Sequence, residues 1–169
     1  MPDSAALNIR RAALDDADAI LDLNRGSEFE TSPMDADRFA MFMRLAHRVL
    51  VAERDGAVVG FLIGFDDGAD YDSVNYGWFA RRLKQFFYID RIVIGEAARG
   101  QGCGQAFYQT IATDAVATGL LWLAAEMNVE PPNEASLRFH AAQGFREVGR
   151  QTVTGGKVMS MQILPLALE

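Results

Sequence analysis

A glycine-rich loop, "ARGQGCGQAF" at residues 98–107, carries the strongest chemical signal in the sequence. It follows a segment rich in β-branched residues and precedes an apolar pattern with helical spacing. Glycines in such a turn let a ligand approach the backbone closely and permit positive φ angles. Backbone N–H groups at a strand-to-helix turn, together with the helix dipole, form an anion site that phosphate commonly occupies. The loop therefore predicts a phosphate-binding site.

Two familiar phosphate motifs do not match this loop. A P-loop ends in Gly-Lys-Ser/Thr, and no lysine lies near the glycines. A dinucleotide-binding loop has glycines at relative positions one, three and six, but here Gly100 and Gly102 are followed by Gln105. The pattern that fits is Arg-x-x-Gly-x-Gly, which starts at Arg99 and ends at Gly104.

A second motif lies downstream at residues 133–145, after one predicted helix and one predicted strand. It consists of Asn133, Ser136, Phe139, His140, Gly144 and Phe145. Together the two motifs resemble those of the GNAT superfamily of acyl-CoA-dependent N-acyltransferases, and the resemblance spans nearly the whole chain. The segments "YDSVNYGWF", "DRIVI", "PPNEASLRFH" and "GGK" also look like a single-domain bacterial subgroup described mainly as predicted acetyltransferases.

This resemblance implies acetyl-CoA as the cosubstrate and no metal. The glycine loop would hold the pyrophosphate, the second motif would flank the pantetheine arm, and one strand would meet the acyl carbonyl. Cys103 lies at the pyrophosphate end, so we expect no covalent acyl-cysteine. The cofactor-binding residues so implied are Ile92, Val93, Ile94, Arg99, Gly100, Gln101, Gly102, Cys103, Gly104, Gln105, Asn133, Ser136, Phe139 and His140.

In the family an amine attacks the acyl thioester directly, in a ternary complex, and the attacking amine must lose a proton to a base or a water chain. The candidate bases are Glu126 and Asp90. Glu126 is favoured because a carboxylate in an apolar strand costs several kcal/mol unless it is used or paired. Strand alternation puts Asp90 on one face and Arg91 on the other, so we expect Asp90 to pair elsewhere. For both carboxylates the alternative is an ion pair or a bond to backbone.

His140 is the candidate acid for the leaving thiolate. It occupies a position where many family members have tyrosine, and histidine can also donate a proton. The alternative is a histidine that packs beside the helix.

The acceptor side should lie between the first two predicted helices and in the long segment 66–87, where acidic and aromatic groups could hold a cationic amine. The alternative for that segment is a surface flap. A small amine, an amino acid and a peptide N-terminus all stay open as acceptors. A non-catalytic acyl-CoA sensor on the same fold is the alternative function. The predicted substrate-binding residues are Glu28, Phe29, Tyr71, Trp78 and Tyr88.

Composition limits the remaining classes. The 169 residues, half of them hydrophobic, fit a single domain spanning 1–169. A net charge of -7 disfavours nucleic acid as a partner. One cysteine excludes an intrachain disulfide, and two histidines are too few for a zinc cluster. No signal peptide or membrane-length apolar run shows, so we expect a cytoplasmic protein without a membrane partner. The resemblance leaves a homodimer open.

The elements that must position these residues follow the order β-α-α-β-β-β-α-β-α-β-β, which is typical of a mixed α/β domain. The resemblance implies the GNAT form of it, with a mostly antiparallel central sheet and helices on both faces. Ser32 and Pro33 predict the start of the second helix. Asp55-Gly56 predicts a hairpin turn, and Gly144 should end the last helix.

Overall fold

The described part of the chain, residues 5–28 and 30–167 of a computed structural model, contains seven strands and five α-helices. The strands are β1 (Asn8–Arg11), β2 (Arg48–Arg54), β3 (Ala57–Asp66), β4 (Phe86–Ile94), β5 (Trp122–Glu130), β6 (Arg146–Thr152) and β7 (Val158–Pro165). The helices are α1 (Ala17–Arg25), α2 (Ala36–Leu45), α3 (Val74–Ala80), α4 (Cys103–Ala117) and α5 (Glu134–Gln143).

The strands pair in the order β1-β2-β3-β4-β5-β7-β6. β1 with β2, β2 with β3, β5 with β7 and β6 with β7 are antiparallel. Residues 86–88 of β4 instead run parallel to residues 122–124 of β5. The predicted mixed α/β fold with a mostly antiparallel sheet is therefore confirmed.

The chain forms two compact units. The first comprises Met1–Phe65 with Asp90–Thr113, and its buried side chains include Ile20 and Phe42. The second comprises Asp66–Ile89 with Asp114–Glu169. Its largest fully buried side chains include Tyr88, Phe79, Phe86 and Leu123. Asp90 and the glycine-rich loop belong to the first unit, whereas Glu126 and His140 belong to the second.

The predicted element order is confirmed with one addition, α3, which forms inside segment 66–87. The Ser73 hydroxyl caps this helix by accepting a hydrogen bond from the Tyr76 N–H at 3.2 Å. Trp78 and Phe79 on the same helix are buried. Sequence periodicity did not indicate α3 because it has only seven residues and contains Gly77.

The turns follow the sequence signals, whereas one helix start does not. Asp55 has a φ of 54° in the β2–β3 hairpin, as Asp-Gly predicts, and Gly144 ends α5 at a φ of 99°. The predicted start of α2 at Ser32 and Pro33 is wrong. The helix begins at Ala36, and its cap is Asp35, whose carboxylate accepts a hydrogen bond from the backbone N–H three residues later at 2.8 Å. The Ser32 hydroxyl instead accepts a hydrogen bond from the Arg91 guanidinium.

Candidate active site

The glycine-rich loop leads directly into the N-terminus of α4 in the first unit. Gly100 and Gly102 have φ angles of 73° and 84°, a region that L side chains rarely adopt. A Cβ built at either position meets no described heavy atom within 4 Å beyond the chain neighbours. The first backbone N–H groups of a helix have no carbonyl partner inside it. The backbone at both glycines is therefore open to close approach, as the predicted phosphate site requires.

Polar side chains brace this loop from within the first unit. The Gln101 amide nitrogen donates to the Ala97 carbonyl at 2.9 Å, and the Arg99 guanidinium donates to the Ile94 carbonyl at 3.2 Å. Arg54, at the end of β2, donates to the Gln101 side-chain oxygen. Sequence reasoning missed Arg54 because it lies 47 positions away from its partner. Cys103 is buried, with 2% of its surface exposed, as a packing role requires.

Asp90 on β4 forms an ion pair with its neighbour in sequence. The Arg91 Nε lies 2.8 Å from the Asp90 Oδ2, and the two side chains are only 3% and 6% exposed. The predicted alternation is observed, since Arg91 and Val93 are buried while Ile92 is half-buried. The expectation that Asp90 pairs elsewhere is nevertheless wrong, because the long Arg91 side chain reaches the carboxylate of its neighbour in sequence.

Arg91 also ties the segment after α1 to β4. Its guanidinium donates to the Asn24 Oδ1 at 3.0 Å, to the Ser32 carbonyl at 3.2 Å and to the Ser32 hydroxyl at 2.9 Å. It also stacks over the Phe42 ring at 5.1 Å. These contacts account for Asp90 as the counter-ion of a buried cation. A role as base stays a prediction for Asp90.

Glu126 on β5, in the second unit, accepts hydrogen bonds from two neutral side chains. Its Oε1 accepts a hydrogen bond from the Tyr88 hydroxyl at 2.9 Å and another from the Asn75 amide nitrogen at 3.2 Å. The Asn75 oxygen accepts in turn from the Gln151 amide at 2.9 Å. Tyr88, which we expected at the substrate, is fully buried and contacts Glu126. No local sequence signal could reveal Asn75 and Gln151, because they meet across 76 positions.

Asn128 is a buried polar residue that sequence reasoning also missed. It is 3% exposed, and its Nδ2 has no hydrogen-bond partner among residues 5–28 and 30–167. It lies two positions after Glu126, before the register shift of β5, so strand alternation puts both on one face. A buried donor without an acceptor costs about 1–3 kcal/mol. Such costs concentrate at functional sites.

His140 on α5 is buried between two aromatic rings, those of Phe139 at 5.3 Å and Phe145 at 5.1 Å. Its Nδ1 lies 2.7 Å from the Ser136 carbonyl, and since a carbonyl only accepts, Nδ1 carries a proton. Burial lowers the pKa of His140 below its ordinary value, although the bond to Ser136 acts in the opposite direction. This geometry supports the packed alternative, and the role as acid stays a prediction.

The remaining residues of the second motif shape the start of α5. The Asn133 Oδ1 accepts a hydrogen bond from the Ser136 backbone N–H at 3.3 Å, which caps the helix. The Ser136 hydroxyl lies 3.2 Å from the His140 ring. Both side chains thus have a structural use, and their contact with a cofactor stays a prediction.

Tyr71 and Trp78, both predicted to contact substrate, are buried in the second unit. The Tyr71 ring packs edge-on against Tyr76 at 5.7 Å. The Arg82 guanidinium lies over the Trp78 indole, 3.9 Å from the ring centroid. The indole also packs against Gly149, where an added Cβ would lie 2.5 Å from the ring. These contacts account for both aromatic residues without a ligand.

Glu28 lies in the first unit, at an open groove of about 650 Å³ beside α2. Carboxylates, guanidinium groups and two thioethers line it together. Phe29 lies outside the described residues. The residues that line the groove are Arg25, Glu28, Pro33, Met34, Asp35, Asp37, Arg38 and Met41.

Residues 5–28 and 30–167 contain no group of three or more His, Cys, Asp or Glu side chains that could hold a metal ion. None of their helices is long and apolar enough to cross a membrane.

Residues 14–145 match the model of the acetyltransferase (GNAT) family, which is most of the chain, so the chain belongs to that family. Solved structures share the fold. An N-acetyltransferase from Staphylococcus aureus Mu50 has a TM-score of 0.73 at 22% identity, with 96% of this chain and 100% of that chain covered. Ard1 from Thermoplasma volcanium has a TM-score of 0.79 at 16% identity, with 96% and 99% covered.

The structure of yncA from Salmonella typhimurium with its cofactor acetyl-CoA has a TM-score of 0.72 at 21% identity, with 98% of this chain and 96% of that chain covered. No curated protein matches the chain.

Proposed function

We propose that the chain is an N-acetyltransferase that moves an acetyl group from acetyl-CoA to a primary amine, which attacks directly in a ternary complex. The observation that carries this proposal is the Glu126 carboxylate, held on β5 by the Tyr88 hydroxyl and the Asn75 amide. A carboxylate can accept a proton as an amine attacks, and neither of these two donors carries a positive charge that would oppose proton uptake. Membership of the acetyltransferase family supports the choice of cofactor.

Different residues are proposed for each step of the transfer. Acetyl-CoA, when bound, supplies the activated acyl group. In the first unit, the N–H groups of loop 99–104 would hold the pyrophosphate, and the backbone of residues 92–94 would donate to the acyl oxygen. In the second unit, Glu126 would take the proton of the amine, directly or through water. His140 is proposed as the acid that protonates the thiolate.

The acceptor is proposed to be a cationic amine in its resting form. Glu28 supports this choice, because the groove that it lines has three carboxylates against two guanidinium groups, and this excess of negative charge attracts an ammonium group. The same groove contains Met34 and Met41, whose apolar surface suits the carbon skeleton of an amine. A small amine, an amino acid and a peptide N-terminus all satisfy this chemistry.

The test is thiol release from acetyl-CoA and from propionyl-CoA across a panel of amines, with coenzyme A binding measured separately by calorimetry. We expect amine-dependent release with acetyl-CoA, strongly reduced in Glu126→Gln, while coenzyme A binds both proteins equally. Binding without turnover on any amine would favour the acyl-CoA sensor. An absence of coenzyme A binding would overturn both functions.

A further inference from the structure

A chain of side-chain hydrogen bonds ends at the Glu126 carboxylate in the second unit. The Gln151 Nε2 on β6 donates to the Asn75 Oδ1 at 2.9 Å, and the Asn75 Nδ2 on α3 donates to the Glu126 Oε1 at 3.2 Å. The Tyr88 hydroxyl donates to the same oxygen at 2.9 Å. Two donors from different elements thus converge on one carboxylate oxygen.

The chemistry of the groups gives this chain of bonds one direction. An ionised carboxylate only accepts hydrogen bonds, so the Asn75 group that faces Glu126 must be the NH₂. The Asn75 oxygen then faces Gln151, which must present its own NH₂. Turning either amide over would bring two acceptors or two donors together. The carboxylate at one end and the Gln151 amide at the other therefore hold the Asn75 amide in a single orientation.

Packing holds Asn75 at the right distance. Asn75 lies in the first turn of α3, and Trp78 of the same helix packs against Gly149 of β6. Only glycine fits there, because a Cβ at Gly149 would lie 2.5 Å from the indole. Gln151 is two residues further along the same strand, so the contact that seats α3 also sets the distance between Gln151 and Asn75.

We infer that Asn75 and Gln151 are positioning residues for the Glu126 carboxylate: Gln151 orients the Asn75 amide, and Asn75 orients the carboxylate that takes the proton of the acceptor amine. This inference rests on the proposed function. Neutral donors suit the purpose, because they restrict the carboxylate without placing a permanent positive charge beside it. A misplacement of about 1 Å in a reacting group can cost about 100-fold in rate.

The kinetic test compares Asn75→Ala and Gln151→Ala with a matched control, Gln162→Ala. The Gln162 amide also donates to a hydroxyl that donates to a carboxylate, through Ser160 to Glu147. We expect kcat to fall about 10–100-fold in Asn75→Ala, and less in Gln151→Ala, while the KM for acetyl-CoA stays within about twofold. Gln162→Ala should keep the wild-type kcat.

Double variants separate positioning from simple destabilisation. In a Glu126→Gln background, Asn75→Ala and Gln151→Ala should lower kcat no further, because residues that act through one group are not additive. Full additivity would overturn the inference, and so would a wild-type kcat in both single variants.

A measurement independent of turnover distinguishes failure of this inference from failure of the proposed function. The side-chain amide protons of Asn75 are followed by ¹⁵N-resolved NMR in the full chain. We expect them to exchange faster with water in Gln151→Ala and in Glu126→Leu, and to stay as in wild type in Gln162→Ala. If no amine supports turnover but this pattern is seen, the proposed function fails and the hydrogen-bonded chain stands. Unchanged exchange in Gln151→Ala would overturn the positioning chain itself.

Discussion

Two candidate carboxylates, Asp90 on β4 and Glu126 on β5, are held by opposite kinds of partner. Asp90 pairs with the buried guanidinium of Arg91, which also binds Asn24 and Ser32. Glu126 accepts hydrogen bonds from a hydroxyl and an amide. If Asp90 took up a proton, a buried cation would lose its counter-ion, whereas the hydroxyl and the amide that donate to Glu126 carry no charge. The contrast is consistent with the proposed roles, in which Asp90 neutralises a buried cation and Glu126 takes the proton of the amine.

Two buried asparagines, one in each unit, also differ in whether their polar atoms have hydrogen-bond partners. Asn24, which is fully buried in the first unit, donates to the Ser32 carbonyl at 2.9 Å and accepts from Arg91 at 3.0 Å. Asn128, on the strand of Glu126, keeps a buried donor that no described residue satisfies. A region that serves only the fold can satisfy all its polar groups, whereas a site for a ligand holds donors ready for it.

The largest expected effect is on Glu126→Gln. Glutamine keeps the shape and an acceptor oxygen but cannot take a proton, so we expect kcat to fall by roughly 10²–10⁴-fold with little change in stability. Steady-state kinetics with the best amine of the panel measures this. Glu147→Gln is the control, because Glu147 is bound by Ser160 and Arg150 and has no assigned role in the reaction. Wild-type turnover in Glu126→Gln across pH would remove Glu126 as the base.

Asp90→Asn should act on stability instead. It leaves the buried Arg91 charge without its counter-ion, which costs roughly 3–5 kcal/mol. Urea unfolding measures the loss. The control is Asp22→Asn, which removes an exposed ion pair with Arg25 and should leave the midpoint near wild type. If Asp90→Asn instead kept normal stability and lost turnover, Asp90 rather than Glu126 would be the candidate base.

Asn128→Leu should raise stability. Removing an unsatisfied buried donor gains about 1 kcal/mol, or roughly 2–4 °C in the unfolding midpoint for a chain of this length. Asn24→Leu is the matched variant, and it should lower the midpoint because it removes the buried hydrogen bonds that Asn24 makes with Arg91 and Ser32. Thermal unfolding of the two variants decides the point, and a lower midpoint for Asn128→Leu would contradict the contrast between the asparagines.

The smallest expected effect is the contribution of His140 to the loss of stability at low pH. Its pKa is lowered in the folded chain by burial, so the unfolded chain binds more protons as the pH falls. The contribution of neutral His140 to the free energy of unfolding is fully present above the pKa that this histidine has in the unfolded chain. It is lost as the pH falls through the lower pKa of His140 in the folded chain. His140→Phe should therefore lose less stability than wild type between about pH 7.5 and about pH 5. His47→Gln, at an exposed histidine, should behave as wild type, whereas equal losses in all three would mean that His140 is not buried neutral.

Local signals in the sequence predicted most of the fold, because they depend on neighbouring residues. The Asp55-Gly56 hairpin, the end of α5 at Gly144 and the glycine loop before α4 all follow from which residues tolerate positive φ angles. The predicted start of α2 was wrong because the choice of its cap depends on contacts with distant residues. Several residues could cap it, and Ser32 is drawn away by Arg91, which lies 59 positions along the chain.

The sequence by itself determined the family, the element order and the candidate residues Glu126 and Asp90, since motifs and periodicity are properties of the chain. Only the tertiary structure decided how those two carboxylates differ. Their partners come from distant positions, 67 residues from Arg91 to Asn24 and 51 from Asn75 to Glu126. The same reason applies to "ARGQGCGQAF": its glycines predict a phosphate site from local sequence alone, whereas the partners of each carboxylate come from strands and helices far apart in sequence.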